Sequence, residues 1–272
     1  MGATTNVRQL GRRADSSALL DHAVQAGLVV YGVMHLLIAW TAARLAFGDH
    51  GGNASQQGAL HQLARSPLGA TTMYVVAAGF FALVVWQAVE AAVGHQQEDG
   101  AKRAAKRAGS AAKVVVYGVL GVSALRIGLG AGSSGGNASS VTAKAMTLPA
   151  GPYLVAAAGL VIIGIAGYLV YHGWNERFKE RLDVRAKVGA RRTPIVLFGK
   201  VGYMSKGVAF AVVGALVVWA GLTHDPKRSG GLDQALHKVL QQPFGAPVLL
   251  VIAVGVACFG LYCFAWARHL RR

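Results

Sequence analysis

The sequence predicts an all-α membrane protein: six transmembrane helices built as three tandem helical hairpins in a pseudo-threefold arrangement, with a short amphipathic helix in each outer loop. Three observations predict it. Of the 272 residues 54% are hydrophobic and only 14% charged, with a mean hydropathy of +0.43, too apolar for a soluble domain of this length. Six stretches are apolar for long enough to cross a hydrocarbon core of about 30 Å, which takes about 20 helical residues. Finally, a loop motif and its surroundings recur along the chain.

The stretches run near Val24 to Phe47, Thr72 to Val93, Ala111 to Leu129, Tyr153 to Tyr171, Val201 to Leu222 and Val248 to Ala267. Hydrocarbon leaves an open backbone without partners, and these runs far exceed the length of barrel strands, so each is a helix. Arg8, Arg12 and Arg13 precede the first run, which lacks a cleavage context and reads as a retained signal anchor. The order is then a 1–22 amino-terminal segment, repeat 1 over 23–97, a basic linker over 98–110, repeat 2 over 111–174, a basic amphipathic linker over 175–197, and repeat 3 with a basic tail over 198–272.

Lysine and arginine set the orientation. Nineteen of the 27 fall in the amino terminus, the two linkers and the tail, and five (Arg65, Lys144, Lys227, Arg228 and Lys238) in the opposite loops. Both termini are therefore expected on the cytoplasmic side, with the chain multi-pass in the membrane. The net charge of +16 is spread over segments between apolar runs, which points to an anionic cytoplasmic leaflet as partner and away from nucleic acid.

The repetition is explicit. Gly51-Gly52-Asn53-Ala54-Ser55 recurs as Gly135-Gly136-Asn137-Ala138-Ser139, and Gly230-Gly231-Leu232-Asp233-Gln234 takes the same place in the third copy. Gly58-Ala59-Leu60-His61 matches Gln234-Ala235-Leu236-His237, whereas the second copy has Ala143-Lys144-Ala145-Met146. Each copy reaches a proline: Pro67-Leu68-Gly69, Pro149-Ala150-Gly151 and Pro243-Phe244-Gly245. Upstream, Tyr31-Gly32 matches Tyr117-Gly118 and, more loosely, Lys206-Gly207; downstream, Gly79, Gly159 and Gly255 stand at similar depths. This pattern resembles the bacterial membrane family of domain of unknown function 1206 (DUF1206), over about residues 20 to 270. The resemblance implies the three-hairpin architecture and a bacterial, largely actinobacterial setting, and carries no established activity.

In the outer loops the glycines allow tight turns, and Asn53 with Gln56 resembles a capping box for the short helix, with Asp233 able to cap in the third copy. Proline then ends the short helix and opens the next. The short helices are expected to lie along the membrane surface. His61 and His237 match in position, but a third ligand is missing where the second copy has Ala145, so they read as surface histidines rather than a metal site. Asn53, His61, Asn137, Asp233 and His237 form the candidate outer-loop surface.

Within the spans, His35 lies near the middle of the first, where an ionisable group calls for a functional hypothesis. An interhelical hydrogen bond is the first reading and transport the second; a haem would need another histidine at that depth, whereas His95, His172 and His269 fall at span ends. Arg44 and Arg126 approach the outer ends of their spans and Lys206 an inner end, so all three are expected to snorkel, or else to line a polar cavity. Glu90, the lone acid in any span, is the natural partner for Lys206 or a linker arginine. The polar intramembrane candidates are thus His35, Arg44, Glu90, Arg126 and Lys206. Glycines such as Gly118, Gly121, Gly159, Gly164, Gly167, Gly207, Gly214, Gly255 and Gly260 read as close helix contacts.

The second linker pairs Asp183 with Lys187 and puts Phe178 and Leu182 on one side, as an interfacial helix would. Cys258 and Cys263 form no redox motif, and no Ser-His-Asp set, nucleotide loop or zinc spacing occurs. Catalytic, cofactor and metal sites are therefore expected to be absent. A non-enzymatic scaffold or accessory subunit with a membrane-protein partner is the leading expectation, and a small-solute or ion conduit the second.

Overall fold

The computed structural model describes residues 18–49, 52–65, 69–94, 96, 99–130, 138–182 and 192–269. They form nine α-helices and two short 3-10 turns, with no strand among the described residues. In chain order the helices are α1 (Ala18–Ala46), α2 (Gln56–Ala64), α3 (Gly69–Val93), α4 (Gly100–Gly128), α5 (Ala138–Met146), α6 (Gly151–Trp174), α7 (Arg192–Thr223), α8 (Leu232–Leu240) and α9 (Gly245–Arg268). Helices α1, α3, α4, α6, α7 and α9 are long and apolar enough to cross a membrane. Each hairpin is thus two long helices with a short one between, as the repeats require.

The basic linkers are where the elements depart from expectation. The first is not a linker: α4 starts at Gly100, so Lys102, Arg103, Lys106 and Arg107 ride on its first turns, and Arg107 donates to the carbonyl of Gly94 at the end of α3. The second does not expose an apolar side to lipid. Residues 177–181 form a 3-10 turn, and Phe178 and Leu182 are fully buried in the bundle; the Asp183–Lys187 pairing lies outside the described residues. Phe178 stacks on Tyr203, ring centroids 5.6 Å apart, and its carbonyl accepts from the Tyr262 hydroxyl at 3.2 Å. α7 begins at Arg192, so Lys206 stands about 20 Å along the helix axis from its start, near mid-span rather than at the inner edge.

The Pro-x-Gly motif has a steric cause. A Cβ on Gly69 would sit 2.9 Å from the carbonyl carbon of Ala64, one on Gly151 2.7 Å from that of Met146, and one on Gly245 2.6 Å from that of Leu240. The long helix therefore starts directly on the last carbonyls of the short one. Ala150 and Phe244, just before it, take left-handed backbone with φ of 58° and 60°. Proline stands in the turn rather than within the new helix, and Pro67 lies outside the described residues.

Packing follows an unequal pattern. The most extensive contacts join successive repeats: α6 with α7, α3 with α4, and α9 with α1. Within repeats, α7 packs on α9 and α1 on α3, but α4 and α6 form no comparable contact. The second hairpin is open, so the helices do not close into a ring.

The short helices show where the difference arises. α2 touches α1, α3 and α4, and α8 touches α7, α9 and α1, each bridging its own hairpin. Their inner faces sink Ala59-Leu60 and Ala235-Leu236 into the protein core. α5 has Thr142 at the fifth position, where α2 and α8 have those leucines, and it packs against α6 and the Pro226–Arg228 turn, not against α4. The long helices differ too. Aligned through Tyr31, Tyr117 and Lys206, Gly27 and Gly202 correspond to Lys113. A Cβ on Gly27 would come within 2.6 Å of the Gly79 carbonyl oxygen, and one on Gly202 within 2.6 Å of the Phe259 backbone. Those crossings admit glycine alone, whereas the second hairpin carries a lysine at that place.

Candidate functional site

Four helices converge at mid-span around Lys206. α1 presents Tyr31 and His35 one turn apart, α7 presents Lys206, α9 presents Phe259, and α4 contributes Tyr117. Glycine crossings bring these helices together. Gly32 of α1 meets Gly260 of α9, each lying so close that a Cβ would stand 2.9 Å from the other's carbonyl oxygen. The Gly202 crossing seats α7 on Phe259, so Lys206, one turn further along, lies over that ring at 4.2 Å from its centroid.

The ammonium of Lys206 donates to the Tyr31 hydroxyl at 2.7 Å and lies 3.5 Å from His35 Nε2. His35 Nδ1 is 2.8 Å from the Tyr31 carbonyl oxygen, which can only accept. That bond places the imidazole proton on Nδ1 and leaves Nε2 as a lone pair facing Lys206. The Tyr31 ring, 5.0 Å from the ammonium, adds a second aromatic face. Tyr31 packs edge-on against Tyr117 at 5.5 Å and against His35 at 4.3 Å, and the His35 ring lies 4.8 Å from Phe259. From Phe259 the rings continue through Tyr203 at 5.2 Å to Phe178 at the basic end of the bundle.

No carboxylate is among the contacts of Lys206. An isolated ammonium inside a span costs several kcal/mol. The charge-assisted hydrogen bond to Tyr31 at about 1.5 to 3 kcal/mol, with aromatic faces at about 1 to 2, offsets part of that. The result is a donor-rich, acid-free cluster at the centre of the apolar slab.

Of the polar candidates read from sequence, the structure brings together His35 and Lys206 only. Lys206 does not snorkel, and Glu90, half-buried on α3, is not among its contacts. Arg44 is exposed and donates to Asp49 at 2.9 Å in the following loop, while Arg126 is exposed on α4. Tyr31, Tyr117, Tyr203, Phe178 and Phe259 escaped sequence reasoning because an aromatic in an apolar helix reads as core. The matching of Tyr31, Tyr117 and Lys206 across the repeats was the signal that could have singled out two of them.

The outer-loop candidates do not gather into a site. Ser55, not Asn53, caps α2, its hydroxyl accepting from the Gly58 amide at 3.1 Å, and Asn53 accepts from that hydroxyl in turn. Asp233 does not cap α8, whose N-cap is Gly231; it accepts the Ala54 amide at 2.7 Å and so ties repeat 3 to repeat 1. His61 is exposed, His237 Nδ1 faces its own Asp233 carbonyl at 2.9 Å, and Asn137 lies outside the described residues. No metal-binding group of three or more His, Cys, Asp or Glu occurs among the described residues.

Comparison with known proteins agrees with the threefold repetition. The family model described as Domain of Unknown Function (DUF1206) matches three times, over residues 26–94, 108–176 and 201–269. The chain is 25% identical over 240 residues to "Uncharacterized protein YxxB" of Bacillus subtilis (strain 168), covering 87% of this chain and 86% of that protein. No solved structure matches.

Proposed function

The chain belongs to the DUF1206 family, and within it we propose that this protein is a non-enzymatic membrane subunit whose open second hairpin receives a helix of a partner membrane protein. The carrying observation is that α4 and α6 are joined by one loop yet do not pack together. Both face outward with apolar side chains, among them Val115, Val119 and Val122 on α4 and Leu160, Val161 and Ile165 on α6. Gly118, Gly164 and Gly167 have nothing within 4 Å of where a Cβ would stand, so their backbones are open to close approach. Such surfaces in lipid favour association with another helix through dispersion. The setting is the bacterial cytoplasmic membrane, with both termini and the basic linkers on the cytoplasmic side against anionic lipid.

A photocrosslinking residue in place of Val119 or Val161, in cells, tests this reading. One discrete adduct common to both positions and missing at Val254, an exposed site on α9, is the expected result. Equal, diffuse labelling at all three positions contradicts it. A second reading, a small-solute or ion conduit, is supported by the Lys206 and His35 pairing at mid-span.

A further inference from the structure

We propose that the Lys206 cluster is a binding site for one small monovalent anion within the membrane. The inference stands apart from the docking reading and uses different residues. It starts from an imbalance of donors over acceptors. The ammonium has three hydrogens, of which Tyr31 Oη and His35 Nε2 take two. His35 offers no further donor, because its Nδ1 proton is held by the Tyr31 carbonyl. No acid of the described chain touches Lys206, so the local charge is a single uncompensated cation. Around it stand the Tyr31 hydroxyl and the rings of Phe259, Tyr31 and His35, with Tyr117 of α4 packed behind Tyr31.

This chemistry selects its ligand. One cation balances one negative charge, which disfavours divalent sulfate or phosphate. Aromatic walls replace little of a hydration shell, which favours anions that shed water readily: a halide, nitrate, or the carboxylate of a lipid-soluble acid. Lys206 as a residue is only partly buried. The ligand has two sources, the aqueous phase or the bilayer, and both present the same single charge to the ammonium.

Equilibrium binding of radiolabelled chloride to the full chain in neutral-lipid nanodiscs tests the proposal, with a parallel arm using decanoate. The expected result is one saturable site per chain in at least one arm, competed by nitrate and not by sulfate. Chloride binding assigns an aqueous source and decanoate binding alone a bilayer source. Lys206→Met is expected to weaken binding at least tenfold, with Lys206→Arg restoring part of it. Should Lys206→Met fold poorly, Tyr31→Phe decides, with an expected three- to tenfold loss. No saturable binding in either arm, or binding unchanged in these variants, overturns the proposal.

Discussion

The second and third hairpins are built from the same repeat yet behave oppositely. Gly255 of α9 seats its helix on Ser205 of α7, its own hairpin partner, and Gly79 of α3 does the same on Gly27 of α1. The equivalent Gly159 of α6 meets Gly214 and Val218 of α7, a helix of the next repeat. Half of the most apolar window of the sixth span is buried, against 17% in the fourth. Connection through an outer loop with its short helix therefore does not make two helices pack. The first and third hairpins bring Gly27 or Gly202 of the outward helix to the crossing and bury a leucine of the short helix, whereas the second has Lys113 and Thr142 at those places.

The comparison can be broken by moving those residues. Gly202→Lys gives repeat 3 the residue of repeat 2 at a position where a Cβ already stands 2.6 Å from the Phe259 backbone. It should lower stability by about 3 kcal/mol or more, measured by denaturation in lipid or mild detergent. The same assay on Lys113→Gly should show a change of less than about 1 kcal/mol, because that position faces no such crossing. Next in size is Leu236→Ala, which removes a side chain buried at the foot of α8 and should cost about 2 to 4 kcal/mol. Thr142→Ala, at the matching fifth place in α5, should cost about 1 kcal/mol or less, because a smaller side chain is lost.

Glycines sharpen the contrast at the small end. Gly164→Ala and Gly118→Ala meet nothing within 4 Å, so helix propensity governs, and each should be neutral to about 1 kcal/mol stabilising. Gly214→Ala, where a Cβ would lie 2.8 Å from the Ile163 side chain, should destabilise in the same measurement. If all three behave alike, the open face does not exist.

Much of the fold was legible because hydrocarbon imposes it. Length, hydropathy and the recurring Gly-Gly and Pro-x-Gly signals place all six long helices and all three short ones, since apolar runs too long for barrel strands satisfy their backbone in lipid only as helices. The departure of the second copy at Ala143-Lys144-Ala145-Met146 was visible too, but its consequence was not, because a missing anchor acquires meaning only once Leu60 and Leu236 are seen to bridge their hairpins. Glycine content misled for a similar reason: Gly159 and Gly164 look identical in sequence, yet one is a crossing and the other an open face. Which rings gather around a cation depends on helix rotation. Periodicity alone does not set that rotation in helices that are apolar on nearly every side.

The openness of the second hairpin is tested most directly by cysteine cross-linking in membranes, with Cys258 and Cys263 replaced. Gly118→Cys is paired in turn with Val161→Cys and Gly164→Cys, and Gly255→Cys on Ser205→Cys serves as the close-packed reference. Rapid oxidation of the reference pair, with no intramolecular disulfide from either α4–α6 pair, is the expected result. An α4–α6 pair that closes as fast as the reference contradicts the account.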